Sequence, residues 1–157
     1  MPIVLFRVDE RLIHGQVVVG WGGPLHADRI VVVDDAIAGS AWEQELYCLG
    51  VPPEIEAQFV SGAQALDAFE LWRGGPKRTI VLVRDVATAQ RMAGVLRGEE
   101  VNLGGIHHAE GRTRVLPYLH LTPDELATLR EMEAGGVAVS ARDLPGGQRV
   151  RLDELGV

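Results

Sequence analysis

The chain has 157 residues, of which 46% are hydrophobic and 24% are charged. This composition is typical of a folded globular protein and excludes the low hydrophobicity of disordered chains. A formal net charge of −7 argues against the clustered lysine and arginine that general binding to nucleic acid or to an anionic membrane requires. No repeat, low-complexity tract or linker is visible, so residues 1–157 are predicted to form one domain.

The sequence shows no signal for export or membrane insertion. The residues before Arg7 are too few for the apolar core of a signal peptide, and no apolar run approaches the length of a membrane span. The lone Cys48 has no partner for an internal disulfide, and its neighbours Tyr47 and Leu49 predict a packed side chain. We therefore expect a cytoplasmic protein that does not itself span a membrane.

Short apolar, β-branched runs recur along the chain and predict strands. They occupy residues 3–8, 30–33, 55–60, 79–83, 101–103 and 137–140. Their near-continuous hydrophobicity is typical of parallel strands that are covered on both faces. Helical stretches alternate with them, at residues 63–72, 87–96 and 123–134. This alternation predicts an α/β fold with three layers (α/β/α) and a mostly parallel central sheet.

The last helix has the clearest boundaries. Thr122 is the predicted N-cap, Pro123 takes the first helical position, and Glu125 completes a capping box. Two glycines at positions 135 and 136 then end the helix. The turn-forming residues 143–148 precede a final short apolar run, so we expect a C-terminal β-hairpin.

Large apolar side chains in the helical stretches are predicted to pack inside the protein. In the helix at residues 63–72, the predicted stripe consists of Leu66, Phe69 and either Leu71 or Trp72. The tryptophans are interpreted as packing residues rather than as a base-stacking platform, and they are Trp21, Trp42 and Trp72.

The loop after the first strand concentrates ionisable groups. Ligands of open α/β sheets bind at the loops that follow the carboxyl ends of the strands. This loop carries Asp9, Arg11 and His14, and a helix is predicted to begin near Gln16. Gly15 allows a ligand to approach the backbone closely, and the free amides at the helix start favour a phosphate. These residues predict a phosphate site.

The imidazole of His14 suits reversible phosphoryl transfer. Its neutral ring is nucleophilic near physiological pH, and the phosphoramidate that forms stays reactive. Arg11 is the natural cation to stabilise the transferring oxygens, while Asp9 either holds Arg11 or orients the ring. In the alternative interpretation, Arg7, Asp9 and Arg11 form a solvated group of ion pairs and His14 is an ordinary residue at the helix start.

Residues 7–17, from Arg7 to Val17, closely resemble the opening motif of the IIB components of the mannose/fructose/sorbose-type phosphotransferase system. The similarity continues in residues 30–35, 101–106 and 111–113 and through the terminal helix and hairpin, so it covers essentially the whole chain. The resemblance implies that His14 is phosphorylated by a IIA protein and that Arg11 assists transfer to a sugar.

The resemblance also implies an activity and its partners. The chain is expected to be a protein-N(pi)-phosphohistidine–sugar phosphotransferase component (EC 2.7.1.-), and the ring nitrogen that reacts on His14 stays open. The phosphorylated IIA protein is the donor, a membrane IIC/IID permease carries the sugar, and no cofactor or metal is expected. A second hypothesis is a regulatory interaction module, in which His14 is phosphorylated but no sugar receives the group.

Two segments depart from the pattern of the family. After the fourth strand the chain has Arg84 and Asp85, where many members have a small hydroxyl residue. Arg84 is predicted either to contact the phosphate or to pair with Asp85. The other departure is the segment at residues 106–110, where His107 and His108 are adjacent and, in a strand, would point to opposite faces, which disfavours a metal site.

Glycines and apolar residues complete the predicted site. Gly104 and Gly105 are expected to let the backbone close over the His14 loop and to contact the phosphate. Leu12 and Ile13 are expected to be exposed and to contact partner proteins.

Asp34 and Asp35 suggest a receiver domain, a different class of phosphoprotein. A receiver carries its phosphoacceptor aspartate after the third strand, where this chain has a Ser–Gly pair at 61–62, and a lysine after the fifth, where it has the glycines at 104–105. We therefore predict that the two aspartates shape the rim of the site or cap the following helix. Walker and dinucleotide-binding glycine motifs are also absent from the sequence, which disfavours ATP or NAD.

Overall fold

The computed structural model describes residues 2–155. Its strands are β1 (Ile3–Val8), β2 (Arg29–Val33), β3 (Glu56–Val60), β4 (Thr79–Val83), β5 (Glu100–Leu103), β6 (Thr113–Leu116), β7 (Leu119–Leu121), β8 (Ala138–Ala141) and β9 (Val150–Arg151). Its α-helices are α1 (Asp35–Ala38), α2 (Ala41–Cys48), α3 (Gly62–Gly74), α4 (Val86–Arg91) and α5 (Pro123–Ala134). A π-helical turn occupies Gln16–Trp21 and a 3-10 turn Leu152–Glu154.

Seven strands form the central sheet, in the order β3-β2-β4-β1-β5-β8-β9. Every neighbouring pair is parallel except β8 and β9, which form the C-terminal hairpin. The α/β architecture, the mostly parallel sheet and the hairpin are therefore confirmed. Because β1 lies between β4 and β5, the loop that follows β1 is flanked on both sides by the ends of other parallel strands.

Two apolar layers cover the sheet. On one face, side chains of α3, α4 and α5 pack against the strands, as shown by Phe69, Ala89 and Leu129. On the other face, the loop after β1, the π-helical turn and α1 supply the buried residues. The central strands β2 and β4 are buried almost throughout, which explains their continuous apolar sequences.

The capping predictions for the helices are confirmed. The Thr122 hydroxyl accepts a hydrogen bond from the Glu125 amide at 3.0 Å, and the Glu125 carboxylate accepts one from the Thr122 amide at 2.9 Å. Asp34 caps α1 through the Ile37 amide at 3.0 Å. These bonds satisfy backbone donors that the first turn of a helix leaves free.

Several packing predictions are wrong. In α3 the buried stripe is Ala65, Phe69 and Trp72, whereas Leu66 and Leu71 are exposed. The spacing of four and three residues places these three side chains on one face, and Leu66 and Leu71 lie off it. The helix predicted at residues 87–96 corresponds to α4, which ends at Arg91, five residues before the predicted end. The chain continues from there as hydrogen-bonded turns.

Trp42 and Cys48 are also exposed rather than packed. Both lie on α2, a helix that buries none of its residues. The antiparallel pair β6–β7 is an element that the sequence analysis did not predict. Its strands are three or four residues long and partly exposed, so they lack the apolar runs that reveal the central strands.

Candidate functional site

Asp9 is the centre of the candidate site. It follows β1 directly, and its side chain has no exposure to solvent. Its Oδ1 accepts hydrogen bonds from the backbone amide of Arg11 at 3.1 Å and from its Nε at 3.2 Å. Its Oδ2 accepts from Arg11 Nη2 at 3.2 Å, from Arg7 Nε at 3.3 Å and from the Gly105 amide at 3.2 Å. A buried carboxylate with this many donors is held in one orientation.

Arg7 holds Asp9 from the interior of the protein. Its guanidinium is fully buried, lies within salt-bridge distance of Asp9 at 3.3 Å, and also hydrogen-bonds the side-chain oxygen of Asn102. Further bonds reach the carbonyl oxygens of Arg142 at 2.8 Å and Asp143 at 3.2 Å. The guanidinium carbon also lies 5.2 Å from the ring centre of Trp21, a cation–π distance. Arg7 thus joins the loop after β1 to the loop after β8.

Arg11 is the cation that the site presents to solvent. About 39% of its side chain is exposed, while its Nη2 also donates to the side-chain oxygen of Gln16 at 2.8 Å. Asp9 on one side and Gln16 on the other therefore define the position of the guanidinium. This geometry confirms that Asp9 holds Arg11, one of the two roles predicted for it.

His14 is largely covered, with 17% of its side chain exposed. Its Nδ1 lies 2.9 Å from the carbonyl oxygen of Leu12, and its Nε2 lies 3.9 Å from Asp9 Oδ2. Nε2 is buried and has no hydrogen-bond partner among residues 2–155. The backbone of Leu12 has a φ of 57°, a left-handed conformation that costs energy in a leucine. The carbonyl of this residue is the one that faces the His14 ring.

Leu12 and Ile13 are buried, so the prediction that they form an exposed partner surface is wrong. Both side chains belong to the apolar layer that also contains Ile30 and Leu82. They anchor the loop to the sheet, whereas the neighbouring Arg11 side chain stays partly exposed to solvent.

Gly104 and Gly105 close over the loop as expected. The Gly104 amide donates to the Val8 carbonyl at 2.8 Å, and the Glu10 amide donates to the Gly105 carbonyl at 2.9 Å. A side chain at Gly104 would collide with the Arg7 guanidinium, and one at Gly105 would lie 2.9 Å from Arg11. Glycine is therefore required at position 104, where the buried Arg7 guanidinium lies against the backbone, whereas a side chain at position 105 would displace the partly exposed guanidinium of Arg11.

Glu10 links the loop to the segment that departs from the family pattern. Its carboxylate accepts hydrogen bonds from Arg112 at 2.6 Å and contacts His107 at 3.0 Å. Arg112 also lies 3.4 Å from Glu125 in the capping box of α5. His107 therefore lies at the side of the site, while the ring of His108 packs edge-on against that of His120, with 5.7 Å between the ring centres.

Arg84 does not pair with Asp85, so that prediction is wrong. Its Nε donates to Asp34 at 3.0 Å, because Asp85 is occupied in capping α4 through the Thr88 amide at 2.9 Å. The ion pair ties the end of β4 to the end of β2.

At Gly15 the backbone is right-handed helical and a side chain would meet no atom within 4 Å, so the space above this residue is open.

The charges of the cluster are mutually stabilised. Burial acts to raise the pKa of Asp9, but the hydrogen bonds of Arg11 and the charge of Arg7 outweigh it and hold the pKa below its ordinary value. Burial lowers the pKa of Arg7 and Asp9 opposes this effect, so the guanidinium stays protonated. Burial also acts to raise the pKa of Glu10, but the hydrogen bonds of Arg112 and His107 outweigh this effect and lower the pKa.

Sequence analysis missed the importance of Arg7 and did not consider Asn102. A signal was present, since Arg7 interrupts a strand that is otherwise apolar from Ile3 to Val8. A charge inside a buried strand requires a partner, and the next residue on the same face is Asp9.

Within residues 2–155, no three His, Cys, Asp or Glu side chains are grouped closely enough to hold a metal ion. Also within this range, no helix has the length and apolar character needed to cross a bilayer.

Fold and site together define an α/β protein whose ionisable cluster, with one histidine, lies at the carboxyl edge of a mostly parallel sheet. A family model described as the sorbose-subfamily IIB component of the phosphotransferase system matches residues 3–156. The chain belongs to this family and is thus a component of a sugar phosphotransferase system.

Individual relatives agree with this assignment. The N-acetylgalactosamine-specific phosphotransferase enzyme IIB component 1 of Escherichia coli is 29% identical, with 97% of each chain covered. The mannose-specific EIIAB component of the same species is 26% identical over 99% of this chain, but the match covers 48% of that relative. The crystal structure of the IIBSor domain of the sorbose permease from Klebsiella pneumoniae superimposes with a TM-score of 0.87 at 26% identity, covering 99% of this chain and 96% of that domain.

Proposed function

We propose that His14 accepts a phosphoryl group from a phosphorylated IIA protein and passes it to a sugar held by a membrane IIC/IID permease. The observation that carries the proposal is the buried Asp9, which fixes the Arg11 guanidinium in the same loop as His14 and lies 3.9 Å from the ring. Membership of the IIB family and the match to half of a relative named EIIAB support a IIA donor. The transfer takes place on the cytoplasmic side of the membrane.

Both transfers are displacements at phosphorus. A neutral ring nitrogen of His14 attacks the phosphorus and the bond to the donor breaks. Phosphohistidine forms as the ring releases a proton and the leaving group of the donor takes one up. In the second step a sugar hydroxyl attacks, the P–N bond breaks, and the ring regains a proton as the hydroxyl loses one. Arg11 stabilises the negative oxygens in both steps, and Asp9 keeps its guanidinium in place.

The ring turns before it reacts. The contact between Nδ1 and the Leu12 carbonyl requires a proton on Nδ1, since a carbonyl only accepts hydrogen bonds. The other nitrogen, Nε2, is buried and faces Asp9. Neither nitrogen presents a lone pair to a partner in this orientation, so docking of the donor is accompanied by rotation of the His14 side chain. Phosphate contacts are proposed for Gly15, Gln16 and Arg84 only, because the amides of Gly104 and Gly105 are engaged within the protein.

A labelling assay tests the proposal. Purified chain is incubated with a IIA protein carrying radioactive phosphate, and the label on wild type, His14→Ala and Arg11→Gln is compared. We expect no label on His14→Ala, whereas Arg11→Gln retains label but loses it to sugar and permease vesicles at least tenfold more slowly. Full labelling of His14→Ala would refute the assignment. Labelled wild type that never phosphorylates a sugar would favour a regulatory module instead.

A further inference from the structure

The outer face of α2 carries large apolar side chains that no residue in the range 2–155 covers. Trp42, Leu46 and Leu49 are 69%, 58% and 84% exposed. Their spacing of four and three residues places them on one stripe of the helix and its last turn. Tyr47 is the residue that faces the protein, through its contact with Phe59 at 6.3 Å between ring centres. An exposed stripe of one tryptophan and two leucines is typical of a protein–protein contact.

A groove adjoins this stripe. It lies between α2 and β3 and has a volume of about 560 Å³. Its lining residues are Ala41, Gln44, Glu45, Cys48, Leu49, Ala57 and Phe59. Within the described residues β3 is the edge of the sheet, paired with β2 alone, so its outer backbone groups are free of strand partners. We name the stripe and the groove together the α2 face.

The surroundings of the α2 face are acidic. Residues 30–60 contain no lysine or arginine but six carboxylates, at Asp34, Asp35, Glu43, Glu45, Glu54 and Glu56. Some of these are neutralised, since Asp34 pairs with Arg84 and Glu56 with Lys77. Glu43, Glu45 and Glu54 form no ion pair among residues 2–155, and Glu43 and Glu45 belong to α2 itself.

We propose that the α2 face docks on the cytoplasmic surface of the IIC/IID permease, through a segment with an apolar side flanked by lysine and arginine. This inference rests on the proposed function. Cytoplasmic loops of membrane proteins are enriched in lysine and arginine, so such a surface complements an acidic face. Only the short helix α1 separates the carboxyl end of β2 from α2, so the first turn of α2, with Trp42, starts from the same edge of the sheet as the His14 loop.

A second copy of this chain is a poorer occupant. Self-association through the α2 face would bring Glu43 and Glu45 of both copies together, in a protein that already carries a net charge of −7. Like charges across an interface oppose association. The charge pattern therefore favours a basic partner over an identical one.

The test measures binding to the purified IIC–IID complex of the same phosphotransferase system in lipid nanodiscs. Trp42→Ala/Leu46→Ala is compared with Leu71→Ala, which truncates a leucine of α3 that is 76% exposed. We expect at least tenfold weaker binding for the double variant and wild-type binding for the control. Glu43→Lys/Glu45→Lys should also weaken binding, and added salt should weaken wild-type binding more than binding of this charge variant.

Other outcomes separate this inference from the proposed function. The docking surface would be overturned if wild type and Trp42→Ala/Leu46→Ala bound the complex equally well. It would also be overturned if wild type bound protein-free nanodiscs as well as nanodiscs that contain the complex. Sedimentation that shows a dimer in wild type and a monomer in the double variant would assign the face to a second copy. In all these cases the label on His14 from the IIA protein is measured in parallel, and its absence would count against the proposed function itself.

Discussion

At the scale of single residues, Arg7 determines how the site is held. It is the largest fully buried side chain, and its charge is matched by Asp9 and by three oxygen acceptors. At the loop it binds Asp9, which in turn holds Arg11, so we expect Arg7 to act as a positioning residue. Variants of Arg7 therefore test how strongly the geometry of the site depends on the buried ion pair between Arg7 and Asp9.

We predict that Arg7→Met lowers the free energy of unfolding by about 3–5 kcal/mol, because the buried carboxylate of Asp9 loses one of its two cationic partners and the other oxygen acceptors of Arg7 lose their donor. Asn102→Ala removes only one of the contacts of Arg7 and should cost about 1.5–3 kcal/mol. Urea unfolding at pH 7 measures both. In Arg7→Lys, which keeps the charge, transfer of the label from His14 to sugar and permease vesicles should slow in the same direction as in Arg11→Gln, since Arg11 is misplaced rather than lost. A variant with unchanged rates would remove Arg7 from the positioning role.

The left-handed backbone of Leu12 gives a second prediction at this scale. At an ordinary position glycine is less stable than alanine, but at a φ of 57° alanine retains the strain and glycine does not. Both Leu12→Ala and Leu12→Gly lose the buried side chain, at a cost of about 2–5 kcal/mol. We expect Leu12→Gly to be the more stable of the two by up to about 1 kcal/mol, measured by urea unfolding. The opposite order would mean that residue 12 leaves the left-handed region in solution.

At the scale of elements, α5 depends on its first turn. Thr122 and Glu125 exchange two hydrogen bonds, and Glu125 also lies within salt-bridge distance of Arg112, which binds Glu10 beside the site. The helix start is thereby connected to the loop that carries His14. The apolar side chains of α5, including Leu126 and Leu129, cover the sheet on the opposite side from that loop.

We predict that Thr122→Ala costs about 1 kcal/mol of stability through loss of the cap. Thr128→Ala, on the same helix but outside the capping box, is the matched control and should change stability by less than about 0.5 kcal/mol. Thermal unfolding of the two variants measures the difference. Equal midpoints for both variants would show that solvent replaces the capping bond at no cost.

At the scale of the whole molecule, acid weakens the fold through its paired carboxylates. The pKa values of Asp9, Glu10 and Glu56 are all lowered below their ordinary values by partners that the fold brings close. A carboxylate with a lowered pKa contributes stability that is fully present above its unfolded value, about 4, and that is lost as the pH falls through the folded value. Stability should therefore be greatest near neutral pH and should fall progressively below about pH 4.

Glu10→Gln tests this at one site. The variant keeps hydrogen-bonding capacity toward Arg112 but cannot titrate, so its free energy of unfolding should fall less steeply than that of wild type between pH 5 and pH 3, values bracketing the about 4.3 of a free glutamate. Urea unfolding across this range provides the slopes. Glu133→Gln, on the exposed side of α5, serves as the control and should follow the wild-type curve. If Glu10→Gln also follows that curve, the pair with Arg112 contributes nothing in solution.

The sequence by itself determined the features that depend on neighbours in the chain. The apolar runs of β1, β2 and β4, the capping box of α5 and the cap at Asp34 were correctly predicted, because strand composition and capping act over a few residues. The motif from Arg7 to Val17 likewise identified the loop after β1 as the candidate site and the family that the comparisons show.

Only the tertiary structure decided which groups meet across the sheet. Arg84 pairs with Asp34, fifty residues away, and Arg7 reaches Asn102 and the loop after β8, because the strand order brings distant strand ends to one edge. It also decided that Leu12 is buried while Trp42 is exposed, although both are large apolar residues. Burial depends on what the rest of the chain places opposite a side chain, and residues adjacent in sequence carry no record of that.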